Sequence, residues 1–227
     1  MLNTLSDAYT KEILQMRWSH FRQGHEILTR LIADTGLKIR RPNPPEDMTE
    51  NLAKFIIQRR DNDPSCKWAK SVGGKGDLYS DKYPVDFPPE VKAFTSDGPC
   101  QFGPRKKFGA LYFLDLRKWS EDHIVLWRAN LQSDSPEMKS IQMTQTDTFE
   151  DQCNRGVRPH ISWNKLYPQI SNHCVMVYAG TFDDIFTTVT ETQSIPPPEE
   201  TLHFPQVCTE SYPIMEAGDT KVEIPVN

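Results

Sequence analysis

Asp77, in the run Gly73-Gly74-Lys75-Gly76-Asp77-Leu78, is followed thirteen residues later by Glu90-Val91-Lys92. Two carboxylates and a lysine are what hydrolysis of a phosphodiester calls for. The substrate is anionic, and attack at phosphorus builds more negative charge on the entering and leaving oxygens, so a hard divalent cation held by carboxylates stabilises it directly. Asp77 and Glu90 are the candidate ligands, with the backbone carbonyl of Val91 as a third. Lys92 is the candidate to orient or help deprotonate the attacking water and to screen the phosphate.

Such a set must be positioned by backbone. In a strand, residues two apart share a face, so Glu90 and Lys92 would face one site while Val91 faces the core. Asp77 must then come from a neighbouring segment, and the turn formers of Ser80-Asp81-Lys82-Tyr83-Pro84 predict a hairpin between the two. The pattern alone is weak: with 31 acidic residues in the chain, an acid two before a lysine is expected about twice by chance, and it occurs three times. Glu137-Met138-Lys139 follows the helix or turn signal Ser135-Pro136, and Asp219-Thr220-Lys221 lies in a polar tail. Only Glu90-Val91-Lys92 leads into an apolar segment with a second acid upstream. Pro88-Pro89 directly before Glu90 removes two backbone donors, so either the strand begins at Glu90 or this sheet edge is irregular. In the second case Asp81 or Asp86 could replace Asp77. The glycines around Asp77 favour it, because they permit close approach of backbone to a phosphate.

On Lys75-Gly76-Asp77-Leu78-Tyr79-Ser80, Glu90-Val91-Lys92-Ala93-Phe94 and Ser96-Asp97-Gly98-Pro99, the chain resembles the PD-(D/E)XK nuclease superfamily, in particular type II restriction endonucleases. The resemblance is close over residues 73 to 115 and extends in layout over about 45 to 170. It implies an α/β fold with a central mixed β-sheet flanked by helices, a Mg2+ requirement, and cleavage of double-stranded DNA by a homodimer. It also suggests Glu50, on a helix before the motif, as an accessory acid, although an exposed helical carboxylate is the commoner case.

Several residues are candidate DNA contacts. Arg105-Lys106-Lys107 follows the loop Ser96 to Pro104 and could meet the DNA backbone, or be a solvated basic loop. Arg155 and Arg158 lie in a segment that cannot be a long helix, and arginine is the usual bidentate reader of guanine. Gln101 and Asn154 are candidate adenine readers, and Lys75 and Ser96 flank the motif. Other chemistries lack an anchor. His-Glu-x-x-His and Gly-x-Ser-x-Gly do not occur, and Gly73-Gly74-Lys75-Gly76 lacks the spacing and hydroxyl of a phosphate-binding loop.

Leu14, Trp18, Phe21, Leu28 and Ile32 describe a helix over about Asp7 to Asp34, ended by Gly36. Glu46 to Arg60 reads as a second helix, with Asp47 or Thr49 near its start. Runs over 108–114, 123–127 and 174–178 read as strands, and Thr148 to Asn154 as a short helix. The expected organisation is one nuclease domain over 1–190, with N-terminal helices in 5–60 and a catalytic core in 68–190. An acidic, proline-rich tail over 191–227 would be extended or disordered. The chain carries a net charge of −5, but the tail alone carries −6, leaving a near-neutral body compatible with DNA binding. No apolar run is long enough to span a membrane, and five scattered cysteines point to a reducing, intracellular (cytoplasmic) setting. Two rival readings share these residues. A repair or recombination nuclease would prefer structured DNA, and a catalytically inactive nucleic-acid-binding relative would explain the prolines before Glu90.

Overall fold

The computed structural model describes residues 10–39 and 42–187, so the tail expected over 191–227 lies outside the described residues. Helix α1 (Lys11–Thr35) begins where the Thr10 hydroxyl accepts from Ile13 N and ends at Gly36, whose φ of 66° is the left-handed conformation glycine adopts without strain. Its first half is seated by buried Leu14 and Trp18. Helix α2 (Glu46–Arg60) matches the predicted span, but its N-cap is Pro45, with no side-chain cap. The extended Pro45 backbone makes the entry turn instead. Thr49 sits one turn in, bonding back to the Glu46 carbonyl at 3.0 Å, and Asp47 is held by Arg17.

The short strands β1 (Lys67–Trp68) and β2 (Leu78–Tyr79) pair antiparallel with each other. The main sheet contains β3 (Pro89–Phe94), β5 (Ala110–Asp115), β6 (Ile124–Ala129) and β8 (Cys174–Gly180), in that order. β3 runs parallel to β5, and the remaining pairs are antiparallel. β5 is buried on both faces, as a central strand should be. Tyr112 and Leu114 enter a core with α1 and α2. Leu111 and Phe113 enter a second core with α3 (Pro136–Lys139), α4 (Phe149–Asn154) and α5 (Trp163–Ile170). The described body is therefore α/β, a mixed sheet with helices on both faces.

The predicted hairpin between Asp77 and Glu90 does not form, because β2 pairs with β1 rather than β3. β3 is an edge strand that starts at Pro89. Its N–H groups two apart point the same way, so the donor missing at Pro89 lies on the open side, along with the Val91 amide. Proline is tolerated there, and a backbone ladder to a further strand is weakened. The Asp77 carboxylate takes the Val91 N–H instead, at 2.9 Å. Side-chain capture thus replaces the hairpin.

The second acid-x-lysine triplet, Glu137 to Lys139, lies in helix α3, off any strand, and Asp219 lies outside the described residues. A third small sheet pairs β4 (Pro99–Gln101) with β7 (His160–Ser162) antiparallel, and Cys100 and Ile161 anchor it in the second core. Among the described residues no helix is long and apolar enough to cross a membrane.

Candidate active site

At the open edge of β3 lies a cleft of about 800 Å³, lined by β3, the start of α2, Asp77, β4 and Lys106. Glu90 is 1% exposed at its floor. Lys92, two residues on and on the same strand face, places Nζ 2.5 Å from Glu90 Oε1. Asp77 reaches in from the segment before β2. One of its oxygens accepts from Val91 N, and the other, Oδ1, accepts from Lys106 Nζ at 2.8 Å. Lys106 Nζ is also 2.5 Å from the buried Glu90 Oε2, so one ammonium bridges the two carboxylates.

Burial pushes the Glu90 carboxyl above its ordinary value, with Lys92 pulling it down and Asp77 pushing it up. Burial acts the other way on Lys106, but the charges of Glu90 and Asp77 outweigh it, and the ammonium is held more firmly than usual. Glu50, on α2, is 6% exposed. Trp68 Nε1 donates to its Oε2 at 2.5 Å, and Lys70 lies 3.7 Å from the same oxygen. Burial raises this carboxyl too, the Trp68 bond lowers it, and the nearby Asp77 charge raises it. Two buried acids thus line the cleft, and each feels the Asp77 charge. Cys100 also lines the wall, but burial pushes its thiol up to about 11 against the pull of Lys92, so it remains protonated and a poor nucleophile at neutral pH.

The loop that delivers Asp77 depends on Gly76. Its φ is 86°, and a Cβ there would lie 2.6 Å from Pro88 Cγ and 2.9 Å from Pro88 Cβ. Proline cannot swing aside, so an alanine would be strained in backbone and blocked in space. Gly73 has a similar φ of 67° with nothing within 4 Å of its added Cβ. Gly76→Ala is therefore expected to cost about 1–3 kcal/mol of stability, clearly more than Gly73→Ala, as measured by urea unfolding of the two variants. Equal losses would show that the Pro88 contact is irrelevant.

Of the residues singled out in the sequence, the cleft brings together Asp77, Glu90, Val91, Lys92, Glu50, Ser96, Gln101, Lys106 and Arg158. Asp81 and Asp86 are exposed and off the cleft, and Asp81 accepts from the Tyr79 hydroxyl at 2.8 Å. The basic cluster is divided: Lys106 turns inward, Arg105 and Lys107 stay exposed outside the lining, and Lys107 lies over the Phe87 ring. Lys75 and Asn154 are exposed away from the cleft, and Arg155 pairs with Asp147 at 2.5 Å. The Val91 contact with Asp77 is through its N–H, and its side chain packs in the first core. Trp68, which bonds the Glu50 carboxylate, reads in the sequence only as a core or interface residue, because neither its spacing nor its neighbours mark it out for the site.

The donors fit a hard divalent cation. Asp77 Oδ1 and Glu90 Oε2 converge on one point, where a positive charge already sits. Among the described residues no three His, Cys, Asp or Glu side chains converge as a ligand group. Two carboxylates completed by water and a substrate phosphate is a usual arrangement for Mg2+.

A sequence profile of the Bsp6I restriction endonuclease matches residues 12–168. A stretch of 61 residues is 39% identical to the type II restriction enzyme Bsp6I of Bacillus sp. (strain RFL6), covering 27% of this chain and 33% of that enzyme. The aligned stretch thus spans about a third of the relative's length. No solved structure matches the chain.

Proposed function

Because the chain belongs to the Bsp6I restriction endonuclease family, we propose that it is a type II site-specific deoxyribonuclease, hydrolysing double-stranded DNA at a short sequence with Mg2+. The observation that carries this reading is the carboxylate pair Asp77 and Glu90 meeting at one cation position, with Lys92 beside it. The mixed sheet, with Glu90 and Lys92 on its edge strand β3 and Asp77 reaching them from the segment before β2, supports placing it on the PD-(D/E)XK plan, as one nuclease domain.

In this reading Asp77 and Glu90 hold the metal, with the Val91 carbonyl as a further ligand. The ion, when bound, neutralises charge developing on the scissile phosphate. Lys92, its Nζ fixed by Glu90 Oε1, orients the attacking water and screens the phosphate. Glu50, held by Trp68, is the accessory acid. Attack in line expels the 3′ oxygen and leaves a 5′ phosphate. Gln101, Arg158 and Ser96 line the same cleft, and in this reading they meet bases or backbone of a duplex lying in it. Lys75, Arg105, Lys107 and Arg155 serve as outer phosphate contacts. A palindromic target calls for a symmetric dimer, and α1 leaves Ile13, Met16, Ile27 and Leu31 exposed for one.

The test is incubation of purified protein with intact plasmid or phage DNA, with and without Mg2+, beside Asp77→Ala. Discrete fragments bearing 5′ phosphates, formed by the unaltered protein with Mg2+ only, are expected. Cutting that persists in Asp77→Ala would place the chemistry elsewhere, and preference for branched or single-stranded DNA would make this a repair-type nuclease.

A further inference from the structure

Resting on the metal-site reading above, we propose that Lys106 is an exchangeable counter-ion. Its ammonium occupies the cation position between Asp77 and Glu90 in the metal-free protein, is displaced when a divalent ion enters, and then binds the scissile phosphate.

The two lysines at Glu90 are not equivalent. Lys92 bonds Oε1, whereas Lys106 sits 2.5 Å from Oε2 and 2.8 Å from Asp77 Oδ1. A magnesium ion bound to those last two oxygens at about 2.0–2.1 Å would stand almost where the ammonium nitrogen stands. The two cannot coexist. Lys92, on the other oxygen, can stay.

The local fold lets one side chain move without its backbone. Lys106 lies in a tight turn, its N–H bonded to the Gly103 carbonyl at 3.1 Å. That turn is clamped on both sides by Phe102 and Phe108, each 1% exposed. Phe102 N donates to the Pro159 carbonyl, and Phe108 exchanges bonds with Ser133 through both its N–H and its carbonyl. Gly103 allows the turn to close, since a Cβ there would come within 3.0 Å of Lys106 Cβ. The Lys106 side chain is 36% exposed, against 17% for Lys92, so a path outward exists.

The exchange has a chemical logic. Without a cation, two carboxylates facing each other at a largely buried point would repel. Lys106 keeps them in place until metal arrives. The released ammonium then lies beside an incoming phosphate, where its charge has a new partner. The same side chain therefore weakens metal binding in the free protein and helps once DNA is bound.

The test measures binding of Mn2+, which shares the oxygen preference of Mg2+, by electron paramagnetic resonance without DNA. Lys106→Gln is expected to bind Mn2+ about tenfold tighter than the unaltered protein, since a competitor is gone, yet to cleave DNA about 10- to 100-fold more slowly at saturating Mg2+. A lysine that merely props up the fold would lower both. Asp77→Asn should abolish Mn2+ binding in either background. No Mn2+ binding by any form would overturn the metal reading and the exchange with it. Binding that needs Asp77 but is unchanged or weakened in Lys106→Gln would overturn the exchange alone. Should that variant fail to fold, amine acylation of the unaltered protein mapped by mass spectrometry decides. Lys106 labelling should rise on adding Mn2+ while Lys75 labelling stays constant, and no rise would overturn the proposal.

Discussion

Glu90→Gln is expected to lower DNA cleavage about a thousandfold or more while leaving the metal-free protein as stable as before, or more so. The rate effect follows from what is lost. Holding a divalent ion at a developing phosphoryl charge is worth several kcal/mol, and each 1.36 kcal/mol is about tenfold in rate. Glutamine has the size of glutamate but a neutral oxygen, so the ion loses one of two anionic ligands. The stability effect runs the other way. Burial raises the Glu90 carboxyl despite Lys92 and Lys106 beside it, so ionising the group costs the folded protein stability relative to the unfolded chain once the pH is above the ordinary carboxylate range. Removing the charge relieves that cost, although each lysine loses a partner. The measurements are steady-state cleavage at saturating Mg2+ and thermal melting with and without Mg2+. The unaltered protein should melt higher with the ion, and the variant should show no such rise. A variant that still gains stability from Mg2+, or that cleaves within tenfold of normal, would remove Glu90 from the metal site. A variant that melts many degrees lower without metal would show that Glu90 is there for structure.

That contrast explains why part of this site was legible in the sequence and part was not. Strand alternation is a local rule, so Glu90 and Lys92 could be placed on one face from Pro88 to Phe94 alone, and the helix Glu46 to Arg60 followed from its own residues, with Asp47 or Thr49 near its start. Gly36 stopped α1 where its left-handed backbone was needed. What failed was pairing at a distance. The turn formers after Ser80 suggested a hairpin, but Ser80 is buried and donates to Asp63 at 2.6 Å, a contact that holds this segment against the end of α2 rather than against β3. Helix α5 went unnoticed because Pro168 lies inside it, although Trp163, Leu166 and Ile170 bury one stripe. In the sequence Lys106 is one of three basic residues that either meet the DNA backbone or form a solvated loop, and nothing in Arg105-Lys106-Lys107 distinguishes the inward one. Only the closed turn from Gly103 aims it at the acids. Side chains that act across the chain, such as Trp68 on Glu50, have no local signature.

The second large effect lies away from the cleft, at Asp61. Tyr112 and Arg128 are direct cross-strand partners on β5 and β6, so their side chains stand together on the face toward α2. Asp61, the C-cap of that helix, meets both: Tyr112 OH donates to Oδ2 at 2.8 Å, and Arg128 Nη1 pairs with Oδ1. One carboxylate thus ties the end of α2 to the two central strands. It is 11% exposed and its arginine partner 24%, so water screens the pair poorly. Arg128 Nε is already buried without a hydrogen-bond partner, and burial drives the Tyr112 phenol far up, leaving it a neutral donor. Asp61→Ala would strand the guanidinium and take one of two partners from the Tyr112 hydroxyl, which also meets Tyr83, and a loss of about 2–4 kcal/mol is expected, with Arg128 retaining some contact with water. Combining it with Arg128→Met should recover part of the loss, since the remaining side chain no longer carries a charge to be solvated. The folded fraction of either variant should still cleave at a normal rate below its melting temperature, because Asp61 lies on the opposite side of β3 and β5 from Glu90 and Lys92. Urea unfolding gives the first quantity and cleavage per folded molecule the second. A loss below about 1 kcal/mol would mean that water already satisfies Arg128. Recovery in the double variant would identify the unpaired charge as the cause, and no recovery would identify the lost helix tie.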